Sequence, residues 1–395
     1  MKVLISGASI AGPVLTYWLS RNGFDVTVVE RAPALRKTGG HAVDLFRPAM
    51  EISERMGVLD RIESRATGTT MLALNRPPST RWTNVDYVKL LAAMSDRHVE
   101  IMRDDLSEAY YDAVRDDAEF LFGDQITSIT DAGEVTFEHG APERYDLVIG
   151  ADGLHSGVRR LTFGDQVRER FLGGYLAVVS VPKVLAPKGE MSGYLAPRRI
   201  AMIYTADHLD DARAVFMFRT QQPLDYHYRD VAGQQRQLRA AFAGLAPEVD
   251  YWLQETDRTP AFYFDAITQL EMSTWSRGRV TLVGDAGYCP GPAVGGSTSL
   301  AVYGAYVLAH ALITARGDHT AAFAAYERTM AAPVAGSRTM ARVNAKTVVP
   351  GSHWGTRALL GAARTVSLLP SGLTQRLARL NEKGVRLYDT MPLPN

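Results

Sequence analysis

Cysteine is almost absent from this chain of 395 residues: Cys289 stands alone. That excludes an internal disulfide, and no Cys/His cluster has metal-ligand spacing, so no metal is expected. An excess of charge of either sign is absent too. Lys and Arg number 43 and so do Asp and Glu, so no long-range field draws the chain to nucleic acid or anionic lipid. A small-molecule partner fits better, and the lone thiol suits a reducing, cytoplasmic setting. Also missing are uninterrupted apolar runs of about 18 residues, the length that spans a bilayer, so no membrane partner is expected. The start, MKVLISGASIAGPVLTYWL, has the lysine and apolar stretch of a secretory signal, but its glycines argue for a turn. There is no internal repeat, and the length suits two domains plus a helical tail.

What is present begins with KVLIS (2–6), a short buried strand, followed by helical spacing over 12–22 and a stop at Gly23. DVTVVE (25–30) is a second strand, so strand, glycine turn, helix and strand open a parallel, doubly wound sheet. DLVIGA (146–151) and RVTLVGD (279–285) read as further strands of that sheet, which makes the nucleotide domain discontinuous. YLAVVSV (175–181), RIAMIYTA (199–206) and RAVFMFRT (213–220) alternate as strands of a second sheet. After residue 298 the pattern is helical, with breaks expected at Pro333, Pro350 and Pro370. The expected fold is therefore α/β: a discontinuous Rossmann-like domain (1–72, 100–165, 277–330), a mostly antiparallel substrate domain (73–99, 166–276) and C-terminal helices (331–395).

The turn Gly7-Ala8-Ser9-Ile10-Ala11-Gly12 has the small residues a dinucleotide site needs, where the chain turns, where backbone meets pyrophosphate and where helix packs on strand. Ser9 replaces the usual second glycine, and Glu30 closes the second strand where a carboxylate can accept ribose hydroxyls. The same residues approach the G-x-S-x-G of a nucleophile elbow, but Ser9 follows the first strand and no His or acid marks a triad. A phosphate loop of the nucleoside-triphosphatase kind fits more poorly still, since Pro13 follows Gly12 where that motif requires Lys.

Four further stretches resemble the FAD-dependent aromatic hydroxylase family, the p-hydroxybenzoate hydroxylase fold, and within it the tetracycline-inactivating monooxygenases. Glu30-Arg31, Arg36, Gly39-Gly40 and Asp44-Leu45 are similar to its E-R-x(n)-R-x-x-G-G-x-x-x-D-L run. Arg103 opens RDDLSEAYYDAV, which looks like the family's R-x-x-L-x-x-x-L helix. Asp152-Gly153, followed by Ser156-Gly157-Val158-Arg159, resembles its D-G and S-x-V-R motif. Gly284-Asp285-Ala286, Pro290, Pro292 and the Gly295-Gly296-Ser297 loop resemble its G-D-A segment and helix start. The resemblance, spanning roughly 1–345, implies non-covalent FAD held by Gly7, Ser9, Ala11, Gly12, Glu30, Arg31, Arg36, Asp44, Arg103, Asp152, Asp285, Pro292, Gly295 and Gly296. It also implies NAD(P)H as a transient co-substrate, oxygen as oxidant, and hydroxylation of a small aromatic or polyketide-like substrate through a flavin C4a-hydroperoxide.

In such an enzyme the flavin carries the hard step, so no protein side chain is expected to be catalytic. Tyr194, Met202, Tyr204, Phe216, Phe218 and Tyr288 are candidates for the substrate pocket. Two departures, at Tyr288 and at Gly295–Ser299, leave open an FAD protein with a cyclase or structural role. A halogenase fits less well, because Trp18, Trp82, Trp252, Trp275 and Trp354 form no W-x-W, and a hydrolase fits least. Substrate identity, oligomeric state and the choice between NADH and NADPH leave no mark on the sequence.

Overall fold

The apolar run Lys2–Ser6 becomes an interior strand of a six-stranded sheet and is buried on both faces, hence its lack of polar alternation. In the computed structural model, which describes residues 1–35, 40–227, 230–259, 261–293, 296–369 and 386–394, its neighbours are Leu147–Gly150 and Asp25–Glu30, both parallel to it. Val280–Leu282 and Glu119–Phe122 extend the parallel order on the two sides, and Ser276–Arg277 adds one antiparallel edge. One sheet thus draws strands from positions far apart in the chain. Arg36 and Gly39, and also Gly295, lie outside the described residues.

The second sheet has seven strands, in the order Phe262–Glu271, Arg168–Pro182, Asp211–Arg219, Arg199–Tyr204, Glu190–Ala196, Met71–Asn75 and Trp82–Asp86. All pairings are antiparallel except Glu190–Ala196 with Met71–Asn75. A two-stranded ribbon, Ala42–Phe46 with His98–Met102, joins the layers, and Tyr204 Oη accepts the Ala42 N–H at 2.7 Å. The expected boundaries at residues 72 and 330 fall inside a strand, Met71–Asn75, and inside a helix, His319–Thr347.

Two expectations need correction. Pro333 does not break the chain: the helix His319–Thr347 runs through it. The ring costs one backbone hydrogen bond, but Met330, Pro333, Val334 and Ser337 are buried along one stripe, and that packing holds the helix together. Phe216 and Phe218 face away from the nucleotide layer. They pack with Tyr175, Tyr194 and Ala201 against the helices Val231–Phe242 and Pro247–Gln254. Alternation shows which residues share a face, not which face is inward. Here helices cover the outer face as well, so both faces are apolar. Ile200, Tyr204, Val215 and Met217 form the inner face, with Met202 packed beside them.

The helix Ser297–Thr314 is long and apolar enough to cross a membrane by composition, but 67% of it is buried inside this protein, where it packs on Ala11–Ser20 and His319–Thr347. A core helix is the consequence. Tyr288, a pocket candidate, belongs to this core. It is 1% exposed, its ring lies 4.9 Å from Trp275, and its hydroxyl is 3.1 Å from that of Tyr326. The hydroxyl occupies the space that a side chain at Gly304 would need. Gly304→Ala should therefore destabilise the fold by about 1–3 kcal/mol, the usual cost of overpacking. Tyr288→Phe should recover part of that loss in the double variant, as read by denaturant unfolding; equal stability of Gly304→Ala and wild type would contradict the packing described.

Candidate active site

Gly7 leaves the first strand with φ +111°, and a Cβ there would approach the Ala151 carbonyl oxygen to 2.5 Å. A side chain at Gly12 would run into the Gly7 carbonyl. Both positions need glycine so that helix, turn and neighbouring strand can meet. Glu30 fastens the turn from below: its carboxylate accepts the Ala8 N–H at 3.1 Å and the Ala32 N–H at 2.8 Å. The helix Ala11–Ser20 then begins without a side-chain cap and without an acid in its first turn. Its free N–H groups and positive dipole end suit an anion.

A second helix start has the same character. Ser297–Thr314 begins after Gly296, which is left-handed at φ +61°, and it too has neither a side-chain cap nor an acidic first turn. The helices starting after Asp86, Ser156, Asp230, Asp318 and Ser352 are all capped by those side chains. Arg47–Arg55 also begins without a side-chain cap or an acidic first turn, but it is the starts of Ala11–Ser20 and Ser297–Thr314 that converge at Gly284, where a Cβ would lie 3.2 Å from Ala301 and 3.5 Å from Ala11. Asp285 follows directly. Pro292 and Ala293 form the turn that leads to the second helix, with Ala293 at φ +60°.

Arg103 reaches the same place from the ribbon. Its N–H donates to the His41 carbonyl at 3.0 Å and its Nη2 to Ser9 Oγ at 3.4 Å. Among the described residues no histidine or carboxylate hydrogen-bonds Ser9 Oγ, so nothing there activates a nucleophile. Burial pushes the Asp285 carboxyl up from its ordinary range, and the Arg103 charge works against that shift. Burial, with the Arg103 charge adding, lowers His41 to about 4, so this imidazole is neutral at pH 7. Asp285, His41 and Tyr263 are densely surrounded by protein, yet each keeps accessible surface. Groups that are deep and still accessible border an internal cleft.

Asp44 is tied to the second helix start, since Ser299 Oγ donates to its carbonyl at 3.1 Å and accepts the Phe46 N–H at 3.0 Å. Its carboxylate lies 2.7 Å from His98 Nε2. Opposite it in the ribbon, Glu100 accepts from Tyr87 Oη at 2.9 Å and from Thr67 Oγ1; burial, then the Asp44 charge, raises its pKa. Asp152 has another occupation. It accepts from Ser156 Oγ at 2.5 Å and from the Gly157 and Val158 N–H groups at 2.8 and 3.2 Å, closing the start of Gly157–Phe163. Arg159 clamps that segment to the G-D-A strand end by donating to the Ala286 carbonyl at 2.8 Å. Arg31 is exposed at the end of its strand.

The structure thus joins the Gly7–Gly12 turn to Arg103 through Ser9 and sets Ala11 beside Gly284, next to Asp285; Gly296 opens the second helix, to which Asp44 is tied through Ser299, and Met202 and Tyr204 lie on the inner face of the facing sheet. It leaves Tyr194, Phe216, Phe218 and Tyr288 elsewhere. His41 and Tyr263 were missed by sequence reasoning. His41 could have been found inside the G-G-x-x-x-D-L run, whereas Tyr263 carries no local signal. A different cleft of about 690 Å³ is lined from the far half of Ser297–Thr314 and by Pro392–Pro394, and it holds none of these groups. Among the described residues no cluster of three metal-ligating side chains exists.

Comparison with known proteins converges on the same reading. A family model described as an FAD binding domain matches residues 1–334. A flavin-dependent monooxygenase of Legionella longbeachae is 37% identical over 333 residues, covering 82% of this chain and 84% of that one. The crystal structure of tetracycline destructase Tet(51) matches with a TM-score of 0.84 at 32% identity, covering 100% of this chain and 99% of the other. HpxO of Klebsiella pneumoniae, solved with FAD and uric acid, shares the fold with a TM-score of 0.74 at 23% identity, covering 97% of both chains. The chain belongs to the FAD-dependent aromatic hydroxylase family and is an FAD-dependent monooxygenase.

Proposed function

We propose that this enzyme uses NAD(P)H and oxygen to hydroxylate a small aromatic or polyketide-like substrate. The observation that carries the reading is the convergence of two uncapped helix starts, Arg103 and Asp285 on one internal cleft beneath the inner face of the seven-stranded sheet. The residues fit FAD chemically. N–H groups at Ala11 and Gly12, with the Arg103 guanidinium, suit the pyrophosphate. Asp285 suits ribityl hydroxyls, and Glu30 has lone pairs left for a ribose. The start of Ser297–Thr314 presents N–H groups to the pyrimidine edge, where reduction places negative charge.

When bound, FAD supplies the redox chemistry, passing two electrons from the nicotinamide to oxygen so that one oxygen atom enters the substrate and the other leaves as water. The chain's own part is to hold, orient and keep dry. Met202, Tyr204 and Tyr263 close the cleft from the facing sheet and exclude water from the reacting centre. Neutral His41 adds no second positive charge beside Arg103. We place the enzyme in the cytoplasm, where the buried Cys289 stays reduced.

The test is isotopic. Turnover of a phenolic or polyketide-like substrate with NADPH or NADH under labelled dioxygen should give a product carrying one labelled oxygen atom. Label from water instead, or an isomerised product of unchanged mass, would favour the non-redox alternative.

A further inference from the structure

The described C-terminal residues, 386–394, lie beyond the part of the chain that the family model covers. They return to the protein body with firm anchors. Arg386 pairs with Asp96 and, at 2.6 Å, with Asp389. Tyr303 and Tyr306, both on Ser297–Thr314, donate to the carbonyls of Pro392 at 2.9 Å and Pro394 at 3.2 Å. Between these anchors Tyr388 turns inward and is 3% exposed.

Among the described residues it meets three different elements. It stacks on Phe46 with centroids 5.2 Å apart and planes 14° from parallel, and its hydroxyl lies 3.0 Å from Ser337 Oγ on the long helix. The third contact is with Gly296, where a Cβ would come within 2.5–2.7 Å of three ring and hydroxyl atoms of Tyr388. The tyrosine ring therefore fills the place of the missing side chain. Gly296 is the left-handed residue that aims the bare start of Ser297–Thr314, and its carbonyl accepts the Leu300 N–H at 3.2 Å. Phe46, on the other side of the ring, is tied through its N–H to Ser299 in the same helix turn.

We propose that Tyr388 is a positioning residue of the flavin site: its ring, wedged between Phe46 and Gly296, fixes the helix start that faces the flavin's pyrimidine edge. The inference rests on that helix start facing the flavin. Through that contact the described C-terminal residues act on the helix start that serves the cofactor. Loss of the ring lets Gly296 and the first turn drift, which weakens FAD binding and withdraws N–H groups from the negative charge of the reduced flavin.

The experiment uses the full-length protein and two readouts, FAD dissociation by fluorescence titration and the midpoint potential of the bound flavin by dye-coupled reduction. Tyr388→Ala should bind FAD about tenfold or more weakly and shift the potential negative, while Tyr388→Phe, which keeps the ring, should stay within about threefold of wild type. Gly296→Ala approaches the same contact from the other side. Its damage should shrink when combined with Tyr388→Ala, because the deleted ring makes room for the new methyl. Tyr306→Phe, which frees the Pro394 end of the segment and the Arg55 guanidinium that donates to the same hydroxyl, should change neither readout. Wild-type affinity and potential in Tyr388→Ala, purely additive effects in the double variant, or an equal loss in Tyr306→Phe would each overturn the inference. If Tyr388→Ala does not fold, Gly296→Ala decides: unchanged affinity and potential there would overturn it. A wild-type protein that takes up no FAD would remove the reading of the site itself and this inference with it.

Discussion

Asp285→Ala and Arg103→Ala should each purify depleted of flavin. Both side chains border the cleft where the two bare helix starts meet, and each is assigned a charge-assisted hydrogen bond to FAD away from the reacting ring. Such bonds contribute about 1.5–3 kcal/mol, so either loss weakens binding roughly ten- to hundredfold. The two variants should differ in stability. Asp285 is an acid whose burial disfavours its charge, so Asp285→Ala removes a strained carboxylate and the apoprotein should lose little. Arg103→Ala leaves Asp285 without the opposing charge and should unfold more easily at pH 7 than at pH 5. Absorbance of dialysed protein and thermal unfolding at the two pH values check this. Full retention of flavin in both variants would show that these residues do not hold the cofactor.

Ser9 gives the second large effect, because its two readings demand opposite things. In a dinucleotide turn only smallness matters: the hydroxyl receives one long contact from Arg103, and backbone N–H groups do most of the binding. Ser9→Gly should then keep FAD and turnover within about tenfold of wild type. Ser9→Leu, with a branched side chain where the pyrophosphate would lie, should expel the cofactor. In a nucleophile elbow Ser9→Gly would be inactive, and a serine-directed phosphonate would label the wild type. Peptide mass spectrometry after phosphonate treatment separates the two, and no adduct at Ser9 is expected.

The nucleotide half of the fold was legible because its signals are local. KVLIS and DVTVVE are buried strands of the expected limits, and the glycine turn between them lies within a dozen residues. G-D-A likewise announced a strand end and a helix start. The roof was legible in pattern but not in direction. Phe216 and Phe218 do share a face, but that face turned outward because the helices Val231–Phe242 and Pro247–Gln254, later in the chain, cover it. Pro333 was misread for a related reason, since a helix packed along its length tolerates a lost hydrogen bond that an isolated one does not.

Within the site, the motifs named residues but not their duties. Asp152 lies in a D-G motif and yet spends its carboxylate closing the start of Gly157–Phe163. Tyr288, a pocket candidate just after the G-D-A motif, directs its ring into the core at Gly304. Tyr388 had no signal at all. Its contact with Gly296 joins residues separated by most of the C-terminal region, and only folding brings them together.

The most direct test of the whole account is reduction of the bound flavin. Oxygen-free holoprotein should be mixed with NADPH and, separately, NADH, with and without a panel of phenolic and polyketide-like compounds, while the flavin absorbance is followed by stopped flow. At least one nicotinamide should bleach the flavin, and a true substrate should accelerate bleaching, since unguarded reduction would waste oxygen as peroxide. A flavin that stays oxidised with both nicotinamides across the full panel would contradict it.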